Sequence, residues 1–213
     1  MAREPLHQLA VVTGASSGIG FELARQCVEH GFDVLICAED AGIATAATRL
    51  AASDRRVIAL QADLAMFDGV EALNAAIEGT HRPVDALLLN AAVGVGGPFV
   101  ETALVSELEM IALNCAHTVH LAKYVVPGMV ARGRGRILIT GSVASAAPTP
   151  FHAVYAATKA FVLSFGEALR EELKGTGVTV TVLHPGASDA ELFERAALAR
   201  AGIDAMLAGR EAN

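Results

Sequence analysis

Short runs of apolar, largely β-branched residues recur along the chain, and each is separated from the next by a longer stretch of helical character. The runs do not alternate apolar with polar. A strand with one wet face alternates, whereas one that is apolar throughout is buried on both faces. Strands are predicted at Leu9–Thr13, Asp33–Ala38, Val57–Gln61, Val84–Asn90, Arg136–Thr140 and Val178–Leu183. Helices are predicted at Gly18–His30, Ala41–Ala52, Phe67–Glu78, Ala103–Arg132 and Ala153–Leu173. Pro127-Gly128 should interrupt the fourth. Strand–helix–strand units joined right-handedly cover both faces of a parallel sheet. The expected fold is therefore α/β, a doubly wound parallel sheet, in a single domain over residues 1–213. Ligands of such sheets bind beyond the carboxyl ends of the strands, where strand order reverses. Chemistry is thus sought in the residues that follow each strand.

Composition narrows the function classes. The hydrophobic share of 53% and charged share of 18% argue against a disordered chain. The net charge is −7, and basic residues gather only at Arg132, Arg134 and Arg136, which reads as a solvated turn before a strand. Neither a nucleic acid nor a membrane is an expected partner; a small molecule is. No run reaches the roughly 18 apolar residues of a membrane span, and the polar start from Met1 to Gln8 does not read as a secretory signal. Cys27, Cys37 and Cys115 are far apart and odd in number, as expected of reduced thiols in a cytoplasmic protein. No metal site is expected: His117 and His120 are three apart but lack a third ligand, and read as a solvated or interface pair.

The first strand runs into Thr13-Gly14-Ala15-Ser16-Ser17-Gly18-Ile19-Gly20 and then a helix. Glycines let a phosphate approach the backbone, and the helix start offers free N–H groups and a positive dipole end. The same turn without a ligand is the bland alternative. Further on, Tyr155 opens Tyr155-Ala-Ala-Thr-Lys159, and four residues on a helix set both side chains on one face. A nearby lysine charge favours the ionised phenol, so the oxygen can act as acid and base. Ser142, just past the fifth strand, can hold a substrate oxygen beside that phenol. Asn114 lies in the long helix before it. A turn-capping serine and a helix-kinking asparagine are the structural alternatives.

The spacing T-G-x3-G-x-G, with a Y-x3-K and a serine thirteen positions before the tyrosine, resembles the short-chain dehydrogenase/reductase family. Further matches are Asp63-Leu64 after the third strand, Asn90-Ala91 after the fourth and Pro185-Gly186 after the sixth. Leu89 and Ala92 depart from the family's N-N-A-G. The resemblance implies a Rossmann-like domain that binds NAD or NADP and moves a hydride between nicotinamide and a secondary alcohol or ketone. It implies Asn114, Ser142, Tyr155 and Lys159 as catalytic residues, Asn114 through a water linked to Lys159. It implies a cofactor held by Gly14, Ser16, Ser17, Gly18, Ile19, Gly20, Glu39, Asp63, Leu64, Asn90, Ala91, Tyr155, Lys159, Pro185 and Gly186. Glu39 leans the expectation toward NAD, because a carboxylate accepts bonds from ribose hydroxyls and repels a 2′-phosphate. Relatives continue past the P-G with a substrate-covering segment and a seventh strand. Here 27 residues follow Gly186, with Ala190 in place of the family's carboxamide-holding threonine. A shortened helical lid over 187–213, no seventh strand and weak substrate cover are therefore expected. The two long helices should form a homodimer or homotetramer interface. A non-catalytic nucleotide-binding or interaction module is the main alternative; a methyltransferase is a weaker one, because it leaves the Y-x3-K unexplained.

Overall fold

The computed structural model describes residues 7–51, 54–186 and 192–209. Six parallel strands form one sheet: β1 Leu9–Thr13, β2 Asp33–Ala38, β3 Val57–Gln61, β4 Ala86–Leu89, β5 Gly135–Thr140 and β6 Val178–Leu183. Their order is β3-β2-β1-β4-β5-β6, so the winding reverses between β1 and β4. Every residue of β1, β2 and β4 is buried, as their continuous apolar runs require; the polar exceptions, Thr13 and Asp33, lie at strand ends. Alternate residues feed opposite layers. Ala10, Val12, Val34 and Ile36 join one core with helices α1 (Gly18–Glu29), α2 (Gly42–Leu50) and α7 (Leu192–Ala208). Leu9, Val11, Leu35 and Cys37 join the other, with α3 (Phe67–Gly79), α5 (His117–Ala131) and α6 (Ala153–Glu172). Strand β3 departs from the expected double burial: it is an edge strand, and Ala59 and Gln61 are exposed.

The long helical stretch breaks elsewhere than expected. Helix α4 (Leu104–Ile111) passes through a π-helical turn, Ala112–Ala116, into α5, which then runs unbroken through Pro127. Pro127 removes one N–H and frees the carbonyl of Lys123. Both residues are exposed, so water can take that carbonyl. The π turn instead carries Asn114, and the extra residue it accommodates aims that side chain inward. Leu104, Val105, Leu108 and Ile111 of α4 and Phe161 of α6 are exposed, on the stretches expected to carry a subunit interface.

Among the described residues no seventh strand follows β6, and no helix is long and apolar enough to cross a membrane. Of the expected shortened lid, α7 is seen as a helix; residues 187–191, Ala190 included, and 210–213 lie outside the described residues.

Candidate active-site cleft

The carboxyl ends of β1, β4 and β5 are tied together by side chains. Thr13 Oγ1 accepts the amides of Asn90 and Ala91, both at 3.0 Å. Asn90 Nδ2 donates to the Thr13 carbonyl at 3.2 Å, and Thr140 Oγ1 donates to Asn90 Oδ1 at 3.0 Å. Asn90 is therefore a brace across three strands. Thr13 and Thr140 were not singled out from the sequence, although each is the one hydroxyl closing an apolar strand. The glycine loop sits beside this brace. A Cβ on Gly20 would fall 2.0 Å from the Gly14 carbonyl oxygen, so only glycine lets the first turn of α1 close on the loop. Gly18 has φ +58°, and its missing Cβ would meet nothing within 4 Å, because the loop opens there onto a cleft.

The cleft has a volume of about 800 Å³ and runs from Ser17 and Gly18 past Asn90 to Ser142, Tyr155 and Gly186. A recess of about 170 Å³ adjoins it and shares Gly14, Ser17 and Ala91 with it; Ser16, Glu39, Asp40, Asp63 and Leu64 line its far end. Asp63 also accepts the amide of Ala65 at 2.9 Å, as a turn-forming carboxylate would. The Ser16 hydroxyl holds the Asp40 carboxyl below its usual range; slight desolvation opposes this and the Gly42 amide adds to it.

At the other end, Lys159 is buried beneath Tyr155, its Nζ 5.9 Å from the centre of the phenol ring. Nζ donates to the Thr140 carbonyl at 3.0 Å. Burial pushes the ammonium down to about 8, against a small opposing effect of the Cys115 thiol. The solvated lysine that a chance Y-x3-K would give is thus not what is found. Ser142 is buried in extended backbone and accepts the Ala144 amide at 3.2 Å, so it caps a 3₁₀ turn and lines the cleft at once. Its hydroxyl proton is left to donate. The Val143 amide donates to the Pro185 carbonyl at 3.0 Å and fixes the serine loop against Pro185-Gly186. Asn114 does not line the cleft; it supports it. Its Oδ1 accepts the Val93 amide at 3.0 Å, while Nδ2 donates to the Val93 carbonyl at 2.9 Å and Thr158 Oγ1 at 3.0 Å. The side chain thereby pins the loop after β4 to the helix that carries Tyr155.

The expected histidine pair needs correction. His117 is buried rather than solvated: its Nδ1 bonds the Leu113 carbonyl one turn back in the π turn, and burial pushes its pKa down to about 4. His120 separates from it and pairs with Glu71 at 2.9 Å. His184 lies beside Gly141 and does not line the cleft. His152 and Arg195, which no motif marked, do line it.

Comparison with known proteins decides the lineage. The family model described as short chain dehydrogenase matches residues 8–201. The chain belongs to this family. It is similar to the ketoacyl reductase HetN of a Nostoc strain, 30% identical over 177 residues, 83% of this chain and 62% of the relative. The chain thus matches just under two thirds of that relative's length. It is 36% identical to the NADP-dependent 3-hydroxy acid dehydrogenase YdfG of Salmonella typhi, over 84% of this chain and 71% of the relative. A metagenomic short-chain oxidoreductase crystallised with NADP superposes with a TM-score of 0.85 at 30% identity, covering 95% of this chain and 91% of its own. For a short-chain dehydrogenase NAD(P) is the cofactor, and the cleft with its adjoining recess, open at Gly18 and lined by Glu39, Asp40 and Asp63 at the far end, has room and polar groups that fit it. The leaning toward NAD draws no support from these comparisons: the Salmonella relative is NADP-dependent and the metagenomic oxidoreductase was crystallised with NADP.

Proposed function

We propose that this chain is an NAD(P)-dependent oxidoreductase of secondary alcohols and ketones, with Tyr155 as general acid and base. The carrying observation is a buried Lys159 beneath a half-buried Tyr155 that shares its cleft with the Ser142 hydroxyl. When bound, the nicotinamide supplies or accepts the hydride at the carbinol carbon. Ser142 Oγ donates to the substrate oxygen and sets its distance from the phenol. Tyr155 gives a proton to that oxygen in reduction and takes one in oxidation. The positive charge of Lys159, little screened because it is buried, favours the phenolate whenever it forms. Asn114 acts by position: both its N–H bonds are spent on Val93 and Thr158, so any relay water would have to donate to one of its oxygens. Cofactor contacts are assigned to Gly14, Ser16–Gly20, Glu39, Asp63, Leu64, Asn90, Ala91, Pro185 and Gly186, with the ribose next to the nicotinamide reaching Tyr155 and Lys159.

The test is titration with NADH and NADPH, followed by turnover on a panel of ketones and alcohols. Cofactor binding with no turnover on any of them would favour the non-catalytic module. Between the cofactors we assign NAD, although the Salmonella relative and the metagenomic oxidoreductase use or bind NADP: the recess presents Glu39, Asp40 and Asp63, and among the described residues no lysine or arginine lines it. The relatives named above are a ketoacyl reductase and a 3-hydroxy acid dehydrogenase, so 3-oxoacyl compounds belong at the head of the panel.

A further inference from the structure

Helix α7 lies along α1 and runs in the same direction. His30, the residue that caps the carboxyl end of α1, faces Asp204 of α7 with Nε2 3.6 Å from Oδ1. Between them Ala24 and Val28 share a core with Ala199, Ile203 and Met206. Ile19 is eleven residues before His30, roughly 16 Å of helix, and Arg195 is nine before Asp204, roughly 14 Å. With the carboxyl end of α1 matched to Asp204, Arg195 comes to stand over the first turn of α1. Consistently, Arg195 lines the same cleft as Gly18 and Ile19.

The face of α7 carries the same message. Arg195, Ala199, Ile203 and Met206 follow one another at three- and four-residue spacing, hence along one stripe. The last three are fully buried. The stripe is apolar as long as it meets the core and becomes a guanidinium where the core gives way to the cleft. The loop Thr13–Gly20 contains no lysine or arginine, and among the described residues no carboxylate lines the cleft. Its other basic side chain of the lysine or arginine type, Lys159, lies at the Tyr155 end and donates to the Thr140 carbonyl.

A dinucleotide's pyrophosphate brings two negative charges to the start of α1. Backbone N–H groups there supply donors but only a partial positive charge. We propose that Arg195 binds the cofactor's pyrophosphate, closing over it from α7 on the side opposite the glycine loop. This rests on the cofactor reading above. A planar fork of N–H donors suits two phosphate oxygens, a match that lysine makes less well.

The experiment measures binding of NADH, ADP and adenosine by calorimetry to wild type, Arg195→Gln and Arg195→Lys, with thermal melts as a check of folding. Arg195→Gln should weaken NADH and ADP about tenfold, the worth of a charge-assisted bond. Adenosine, which lacks the pyrophosphate, should bind unchanged, and the salt dependence of NADH binding should flatten. Arg195→Lys should recover part of the loss. If Arg195→Gln binds NADH as wild type does, the assignment to the pyrophosphate is overturned. The same holds if the variant instead raises only the KM of an anionic ketone, or if adenosine weakens as much as ADP. Failure of the wild-type protein to bind NADH or NADPH overturns the cofactor reading itself, and with it this one.

Discussion

The two edges of the sheet are built from opposite materials. At the amino edge, polar groups are largely paired with one another, Asp85 Oδ1 being buried with Arg134 no nearer than 3.7 Å. Asp33 accepts the Arg56 amide at 2.9 Å and an Arg82 guanidinium nitrogen at 2.7 Å. Asp85 accepts the Leu9 amide at 3.1 Å, and Arg132 donates to the Val84 carbonyl at 2.7 Å. Desolvation pulls the Asp33 carboxyl up, but the Arg56 amide and Arg82 more than offset it and hold it below its usual range. At the carboxyl edge, hydroxyls and amides brace the strand ends, while Ser142, Tyr155 and the glycine loop face an open cleft. The same strands thus end in a sealed set of partners on one side and in groups kept for a ligand on the other. One edge should therefore govern stability and the other chemistry, and the contrast can be tested by breaking each separately.

The largest effect is expected at the carboxyl edge. Tyr155→Phe keeps the ring and removes the proton carrier, so turnover should fall by about 10³-fold, within the range for loss of a general acid–base. The denaturation midpoint should stay at the wild-type value, and NADH should still bind, weakened by no more than about tenfold through the lost ribose contact of the phenol. A variant that retains more than a tenth of the wild-type turnover would remove Tyr155 from the mechanism. At the amino edge the opposite is expected. Arg82→Leu leaves Asp33 buried with the Arg56 amide but without its charged partner, and unfolding free energy should drop by about 3 kcal/mol. Urea unfolding reads that loss, and NADH affinity, measured well below the new midpoint, should not move. A loss of affinity comparable to the loss of stability would show that the edges are not separable.

A third perturbation acts between the edges, on the π turn. His117 is held neutral, chiefly by burial; the Leu113 carbonyl opposes this and the charges of Lys159 and His120 add to it. Its pKa is about 4 in the folded protein against an ordinary 6.5. Between these values the unfolded chain binds more protons than the folded one, so stability rises with pH across that window. On acidification from 6.5 to 4 the protein should lose about 3 kcal/mol from this group alone. His117→Gln should flatten that limb of the stability–pH curve. An unchanged slope in the variant would assign the acid limb to other groups.

How much of this could be read from the residues depends on what carried the signal. Strand burial was legible because β1, β2 and β4 are apolar in an unbroken run, with polar residues only at an end (Thr13, Asp33), and only a sheet covered on both faces explains that. The motif residues Gly14, Ser142, Tyr155 and Lys159 were legible by spacing, which fixed their shared location. Orientation was not. Asn114 was marked, but its bonds to Val93 and Thr158 depend on a π turn that has no sequence signature, and Pro127 drew the expected break to the wrong place. Thr13 and Thr140 were hidden because a threonine is at home in any strand. Arg195 was hidden for another reason: its meaning comes from the parallel packing of α7 on α1, a tertiary fact that no local pattern encodes.

The smallest effect tests the recess that adjoins the cleft. Glu39 and Asp40 are exposed, so their field is screened by solvent and their influence on cofactor choice is modest. Reversing one charge should nevertheless show, because a 2′-phosphate would lie among three carboxylates and gain a guanidinium partner in Glu39→Arg. The ratio of NADPH to NADH affinity should rise by about tenfold in that variant at low salt, the scale of one added charge-assisted bond, and shrink again as salt is raised. Tyr155 chemistry, at the far end of the cleft, should proceed at the wild-type rate once either cofactor is saturating. If the wild-type protein already prefers NADPH, Glu39 does not set the choice, and the carboxylates of the recess serve the turn after β2 instead. That outcome would also redraw the comparison of the edges, since Asp40, bonded to Ser16 and Gly42, would then count with the groups that seal rather than those that wait for a ligand.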